Sequence, residues 1–375
     1  MINEQRALSE FFELVRLQCS SRAEREAADV VKAKLSALGF EVAEDAAGAK
    51  IGGNAGNVIG YLRGSKPAAP VLMLSAHLDC VEPCGGIKPR LANGVITSGG
   101  DTILGGDDKA GMVSILEALR TLREEKTDHG DIQVIFTVAE ECGLQGVKHI
   151  DPGLLKADLG YILDGGALGE ITDAQPGQNN INVIIRGRTA HAGVAPEEGI
   201  NAIIVAGRAL AELKQGRIDP ETTANVGIIK GGTATNVVPD CVELALEARS
   251  RNAEKLEVQT KNMAETFQRV AAANGAQAEV TVRKMYESYV LDHDAPVLRL
   301  ARQASEAIGL PFTLKPSGGG SDANYFNAFG VPSAVLGVGV NKAHTTDEYI
   351  KAADLYRGCE LVLALIKTVA AHAAD

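Results

Sequence analysis

Five short stretches combine acids and imidazoles in a way that could bind and activate metal ions. They are His77-Leu78-Asp79, Asp107-Asp108 behind a Gly pair, Glu140-Glu141, Asp164-Gly165-Gly166, and His344 after a Gly-rich stretch. Imidazole nitrogen with carboxylate oxygen and no thiolate suits zinc, with cobalt or manganese feasible in the same geometry. So many carboxylates in one crevice would repel one another and take up protons unless positive charge compensated them. A pair of divalent cations answers that demand, and the ligand arithmetic closes with one bridging carboxylate. His77, Asp107 and Asp164 would serve one ion, and Asp107, Glu141 and His344 the other. Each ion keeps an open position, and a water held between them would have its pKa lowered toward ~7.

These stretches converge only if the chain brings them to one edge of a sheet. Apolar runs at 57–62, 71–76, 132–138, 159–163 and 333–338 are filled with Val, Ile and Leu without clean alternation. That is the pattern of strands covered on both faces. Helical spacing at 22–38, stopped by Gly39, and at 109–125 adds covering helices, so α/β layers with substantial parallel content are expected. In such sheets functional groups gather beyond the carboxyl ends of strands, and His77, Glu140 and Asp164 each follow an apolar run directly. Residues 178–291 read differently, as β-α-β-β-α-β, a small domain with an antiparallel sheet. The α/β pattern resumes near Pro296. The expected fold class is therefore α/β, a discontinuous α/β/α catalytic domain at 1–177 and 292–375 with a ferredoxin-like domain inserted at 178–291.

Composition removes several other readings. With 48 Asp plus Glu against 37 Lys plus Arg in 375 residues, the formal charge is -11, which argues against nucleic acid or an anionic membrane as partner. No run approaches the ~18 uncharged apolar residues of a membrane span. The first residues carry Glu4, Arg6, Glu10, Glu13 and Arg16 instead of a leader's apolar core, so a cytoplasmic protein is expected. Six scattered cysteines point to reduced thiols, and Cys80 with Cys84 lacks the second pair of a zinc finger. The Gly-rich run at 317–322 lacks the Lys-Ser or Lys-Thr of a phosphate loop. His129, His149, His293 and His372 lie outside the clusters and are expected at the surface or in structural hydrogen bonds.

His77-Leu78-Asp79, Leu104-Gly105-Gly106-Asp107-Asp108-Lys109-Ala110-Gly111, Glu140-Glu141-Cys142-Gly143, Asp164-Gly165-Gly166 and His344 resemble, in order, the metal-site motifs of dizinc metallopeptidases of the aminoacylase and carboxypeptidase type. The wording is most similar to the peptidase T (tripeptide aminopeptidase) branch, and the resemblance spans nearly the whole chain. It implies that His77, Asp107, Glu141, Asp164 and His344 bind two zinc ions and that Asp79 fixes the tautomer of His77. It implies that Glu140 takes a proton from the bridging water and passes it to the leaving amine. It makes the inserted domain a lid that also dimerises. The run Gly187-Arg188-Thr189-Ala190-His191-Ala192-Gly193 resembles the lid segment in which a His from the partner subunit stabilises the oxyanion, which gives that role to His191.

Asn236 resembles a substrate-facing Asn, and Gly319 and Gly320 lie in a run that matches a loop approaching the substrate's carboxylate. One position departs: close tripeptidases carry an Arg where this chain has Gly318, and an Arg fork is the usual reader of a carboxylate. The reading is thus a homodimeric, metal-dependent exopeptidase acting on short peptides, with a dizinc-bound water as nucleophile. The alternatives are an N-acyl amino acid amidohydrolase using the same site, or a catalytically silent peptide-binding protein, which the intact Glu140 disfavours.

Overall fold

The structure, a computed structural model, describes residues 1–372. The chain divides into two compact units. One comprises Met1–Asp173, Leu291–Pro316 and the residues from Ser321 onward, and the other Ala174–Val290 with Ser317–Gly320.

The first unit is built on an eight-stranded mixed sheet. Its order is Glu41–Glu44, Val58–Leu62, Ile132–Thr137, Leu72–His77, Leu159–Gly165, Ser333–Gly337, Glu170–Thr172, Thr313–Leu314. The central strands run parallel, with His77 level with Thr137 and Ser75 level with Ile162. Every residue of Leu72–His77 and Ile132–Thr137 is buried, as their unalternating apolar runs require. Helix Gly106–Glu124 packs on Leu72–His77 and Leu159–Gly165, and helix Ala352–Ala370 packs on Gly106–Glu124. The first contact is tight. A Cβ on Gly111 would stand 2.2 Å from the Leu163 carbonyl oxygen, so only glycine lets the helix backbone come this near the strand.

Two helix starts differ from the pattern in the sequence. The helix expected at 22–38 begins at Arg25, because Arg22 takes a left-handed φ of 72° and turns the chain first. The helix expected at 109–125 begins at Gly106, although Asp107 and Asp108 leave helical φ/ψ within it. The hairpin Pro89–Ala92 and Val95–Ser98 joins Tyr349–Lys351 and Val340–Asn341 in a separate four-stranded sheet. Its strands are too short and mixed to show an apolar period.

The second unit holds a five-stranded antiparallel sheet in the order Gly216–Asp219, Thr222–Gly231, Cys241–Ser250, Gly177–Arg186, Gln277–Tyr286. Helices Ala202–Glu212 and Ala253–Ala273 cover the face that buries Ile181, Val183, Ile185, Val242, Leu244 and Leu246. The four long strands stand second, third, first, fourth, the arrangement of a β-α-β-β-α-β unit. Strand Thr222–Gly231 meets its outer neighbour only through residues 222–224. The rest of that edge carries Ile228 and Ile229, which are 51% and 52% exposed. Among the described residues no helix is long and apolar enough to cross a membrane.

Candidate metal centre

Parallel register levels the strand ends of the first unit, so His77, the segment after Thr137 and Asp164 open onto one rim. Asp107 reaches it from the start of its helix, and His344 from a turn in which it adopts a left-handed φ of 65°. His77 Nε2 lies 3.2 Å from Asp107 Oδ1 and 3.9 Å from Asp164 Oδ1. His344 Nε2 lies 3.3 Å from Asp107 Oδ2 and 3.0 Å from Glu141 Oε1. The two oxygens of one carboxylate thus face two different imidazoles.

Glu141 Oε1 is buried and makes no hydrogen bond, because the nearby His344 nitrogen approaches without the needed alignment. His77 Nε2 and Asp107 Oδ1 are within hydrogen-bond distance, while Glu141 Oε1 is left without a partner beside them. Their spacing brackets the ~3.4 Å edge of a tetrahedron with ~2.1 Å bonds to zinc. The donors of His77, Asp107 and Glu141 lie within 4.8 Å of one another, as do those of His77, Asp108 and Asp164. These residues could hold divalent cations.

The segments bearing His77, Asp107, Glu140 and Glu141 are held by buried carboxylates that accept peptide N–H groups. Asp79 accepts from the main-chain N–H of Glu140 at 3.0 Å and of Glu141 at 3.2 Å, and from Ser21 Oγ at 2.6 Å. His77 Nδ1 faces the Asp79 carbonyl at 3.1 Å and its carboxylate at 3.4 Å, so Asp79 meets that nitrogen through both groups. Asp108 is fully buried and accepts from the N–H of His77 and of Gly111. Glu24 accepts from the N–H of Arg22 and of Ala139, the latter a left-handed residue immediately before Glu140. Glu348 accepts from the N–H of Leu104, Gly105 and Asp107.

One cation is buried among these acids. Lys109 Nζ donates to the Leu78 carbonyl at 2.6 Å and lies 3.3 Å from Cys80 Sγ. Ser21, Glu24 and Glu348 stand outside the sequence motifs, and Lys109 lies within one without an assigned role. Glu24 and Glu348 meet main-chain N–H groups, which leave no residue-type pattern to find, and Ser21 meets the distant Asp79.

The electrostatics express a shortage of positive charge. Burial pushes Asp164 well above the ordinary carboxylate range, with Asp107 adding to it, and burial likewise raises Glu140, with Asp164 adding. Burial alone would lower His77, but Asp107, Asp79 and Asp164 hold it well above its usual value. Asp107 and Glu141 push His344 up to about 10. Burial would raise Asp107, yet the two imidazoles outweigh it and keep that carboxylate low. Protons therefore collect on both histidines, and metal binding to such a set displaces them.

His191 and Asn236 lie in the second unit, both exposed. They sit on neighbouring rungs of one short ladder: His191 bridges Val237, and Ala192 N–H donates to the Asn236 carbonyl at 3.0 Å. Gly193 N–H donates to His191 Nδ1, so in the neutral imidazole the proton sits on Nε2. Gly319 N–H bonds Ser317 Oγ. A Cβ on Gly320 would stand 2.5 Å from the Tyr286 ring, so close packing accounts for that glycine. The Gly-rich run is itself divided: Ser317–Gly320 groups with the second unit, while Asp322, 2% exposed, accepts from Thr137 Oγ1 in the first.

Residues 73–368 match Peptidase family M20/M25/M40. The aminopeptidase PepT from Bacillus cereus ATCC 10987 is 45% identical, with a TM-score of 0.93 over 98% of this chain and 99% of that one. A tripeptidase from Staphylococcus aureus is 40% identical, with a TM-score of 0.97 over 99% of this chain and 100% of its own. The uncharacterized protein YqjE of Bacillus subtilis is 43% identical over 371 residues, 99% of this chain and 100% of that protein. A match over most of the chain, with full-length likeness at this level of identity, decides the matter: the chain belongs to peptidase family M20/M25/M40 and is a hydrolase of the peptidase kind.

Proposed function

We propose that the protein is a metal-dependent exopeptidase that cleaves short peptides, tripeptides among them, from their amino end, with zinc as the first choice of metal. One observation carries the reading: Asp107 offers one oxygen toward His77 and the other toward His344, as a carboxylate shared by two cations must. His77 and Asp164 would complete one site, and Glu141 and His344 the other. Bound there, two divalent cations would polarise the scissile carbonyl and acidify a water.

The rest falls to the chain. Glu140, 9% exposed on a loop whose amides Asp79 holds, takes the proton from the attacking water and returns it to the leaving amine. Asp79 keeps the His77 ring oriented. His191, with its proton on Nε2, supplies a donor for the developing oxyanion, and Asn236 beside it contacts substrate.

The second unit is the lid and the dimerisation domain, and His191 is delivered across that dimer. The open strand edge with Ile228 and Ile229, and exposed Ile203 and Ile204 on helix Ala202–Glu212 of the same unit, support this role. The similarity to the PepT aminopeptidase and the tripeptidase supports peptides over N-acyl amino acids as substrate.

The test is amine release from di- and tripeptides and from N-acyl amino acids, with and without chelator. Tripeptide cleavage that chelator abolishes and added Zn2+ restores is expected. Chelator-insensitive cleavage overturns the metal mechanism, and turnover of N-acyl amino acids alone overturns the peptide assignment.

A further inference from the structure

Glu348 is 1% exposed and has no Lys, Arg or His partner among the ion pairs of the described residues. Isolated buried charge is costly, and here it is met by peptide N–H groups. Oε2 accepts from Leu104 N–H at 2.9 Å and Gly105 N–H at 2.8 Å, and Oε1 accepts from Asp107 N–H at 2.9 Å. The residue between these donors is Gly106, where a Cβ would stand 3.1 Å from Glu348 Oε1, so the loop is shaped to admit the carboxylate.

On its own side Glu348 is equally fixed. Its N–H bonds the Thr345 carbonyl, and the chain then enters strand Tyr349–Lys351, which pairs with Val95–Ser98 and with Val340–Asn341. One carboxylate therefore ties the turn that presents His344 to the loop that presents Asp107. Those are the two residues whose side chains meet at 3.3 Å.

We infer that Glu348 is a positioning residue that sets the spacing of Asp107 and His344, and with it the affinity for the cation shared by Asp107, Glu141 and His344. The inference rests on the metal reading above. A residue that only stabilised the fold would have no reason to affect one cation more than the other. Among the described residues Glu348 forms no hydrogen bond or ion pair with Asp164 or His77, which with the shared Asp107 make up the other site.

The test is stepwise metal titration of the metal-free full chain, using Co2+ absorption and competition with a chromogenic chelator for Zn2+. The variants are Glu348→Gln, which keeps the shape but replaces one acceptor by a donor, and Gly106→Ala, which presses on the same contact from the loop side. Wild type is expected to take up two equivalents. Both variants should weaken one equivalent ~10- to 100-fold, the usual cost of removing a group that orients a ligand, and the other, which shares only Asp107 with it, by clearly less. Their circular dichroism should match wild type. Unchanged affinity for both equivalents overturns the proposal, as does equal weakening of both. If wild type itself binds no cation, the metal reading falls instead, and with it the ground for this one.

Discussion

The rim of the first unit and the exposed ladder of the second hold their candidate groups in opposite ways. On the rim, buried carboxylates accept the N–H groups of the loops that carry His77, Asp107, Glu140 and Glu141, so the main chain is fixed before any ligand arrives. On the ladder, His191 and Asn236 are exposed, and the contacts that hold them are local main-chain bonds and one N–H to an imidazole. Groups that must meet a cation gain from geometry set in advance. Groups that must meet a substrate after it enters gain from freedom to arrive late.

The largest effect should come from the rim. Glu140→Ala is expected to cut kcat by at least ~10³-fold, within the range of general acid–base catalysis, with metal content by elemental analysis unchanged. Loss of metal together with activity would show that Glu140 binds a cation, and the division of labour on the rim would need redrawing. On the ladder, His191→Ala should lower kcat by ~10²- to 10³-fold and leave metal affinity and thermal stability alone. A loss confined to KM would count against an oxyanion role.

The two variants can also be set against each other. If His191 acts across a dimer, mixing Glu140→Ala with His191→Ala subunits creates sites that have both groups, and roughly a quarter of wild-type activity should return. No recovery after subunit exchange would confine His191 to its own chain.

The smallest effect concerns the acids beneath the rim. Glu24 is pushed up to about 7, chiefly by burial and then by the nearby Asp79. The folded protein thus keeps this proton where the unfolded chain has released it. Its contribution to stability is full below the ordinary carboxylate value and is lost as pH rises through about 7. Glu24→Gln keeps the acceptor for Ala139 and removes the charge. The variant should lose less stability than wild type between about pH 4 and 8, by at most ~3 kcal/mol, in denaturant melts of metal-free protein. Parallel curves would mean that folded Glu24 ionises as it does in the unfolded chain, and that burial does not hold its proton.

What could be read from the sequence follows the same division. The positions of His77, Glu140 and Asp164 at strand ends were legible because a fully buried parallel strand has an unmistakable apolar run, and its end is the rim. The β-α-β-β-α-β order was legible for the same reason: long alternating strands and 3.6-period helices announce themselves. The supports were not. Glu24, Asp108 and Glu348 act on peptide N–H groups, and any residue but proline offers one. The four-stranded sheet around Pro89–Ala92 was hidden because two- to four-residue strands carry too few positions for a period.

The near-contact of Gly111 with the Leu163 carbonyl reaches beyond packing. It locks the helix that carries Asp107 to the strand that carries Asp164, so the span between the backbones of those two acids is dictated by peptide atoms and not by rotamers. An engineer who wanted a roomier cage for a larger ion would gain nothing by softening this scaffold. The practical handle is the reach of the donors, exchanging aspartate for glutamate while the frame stays as it is.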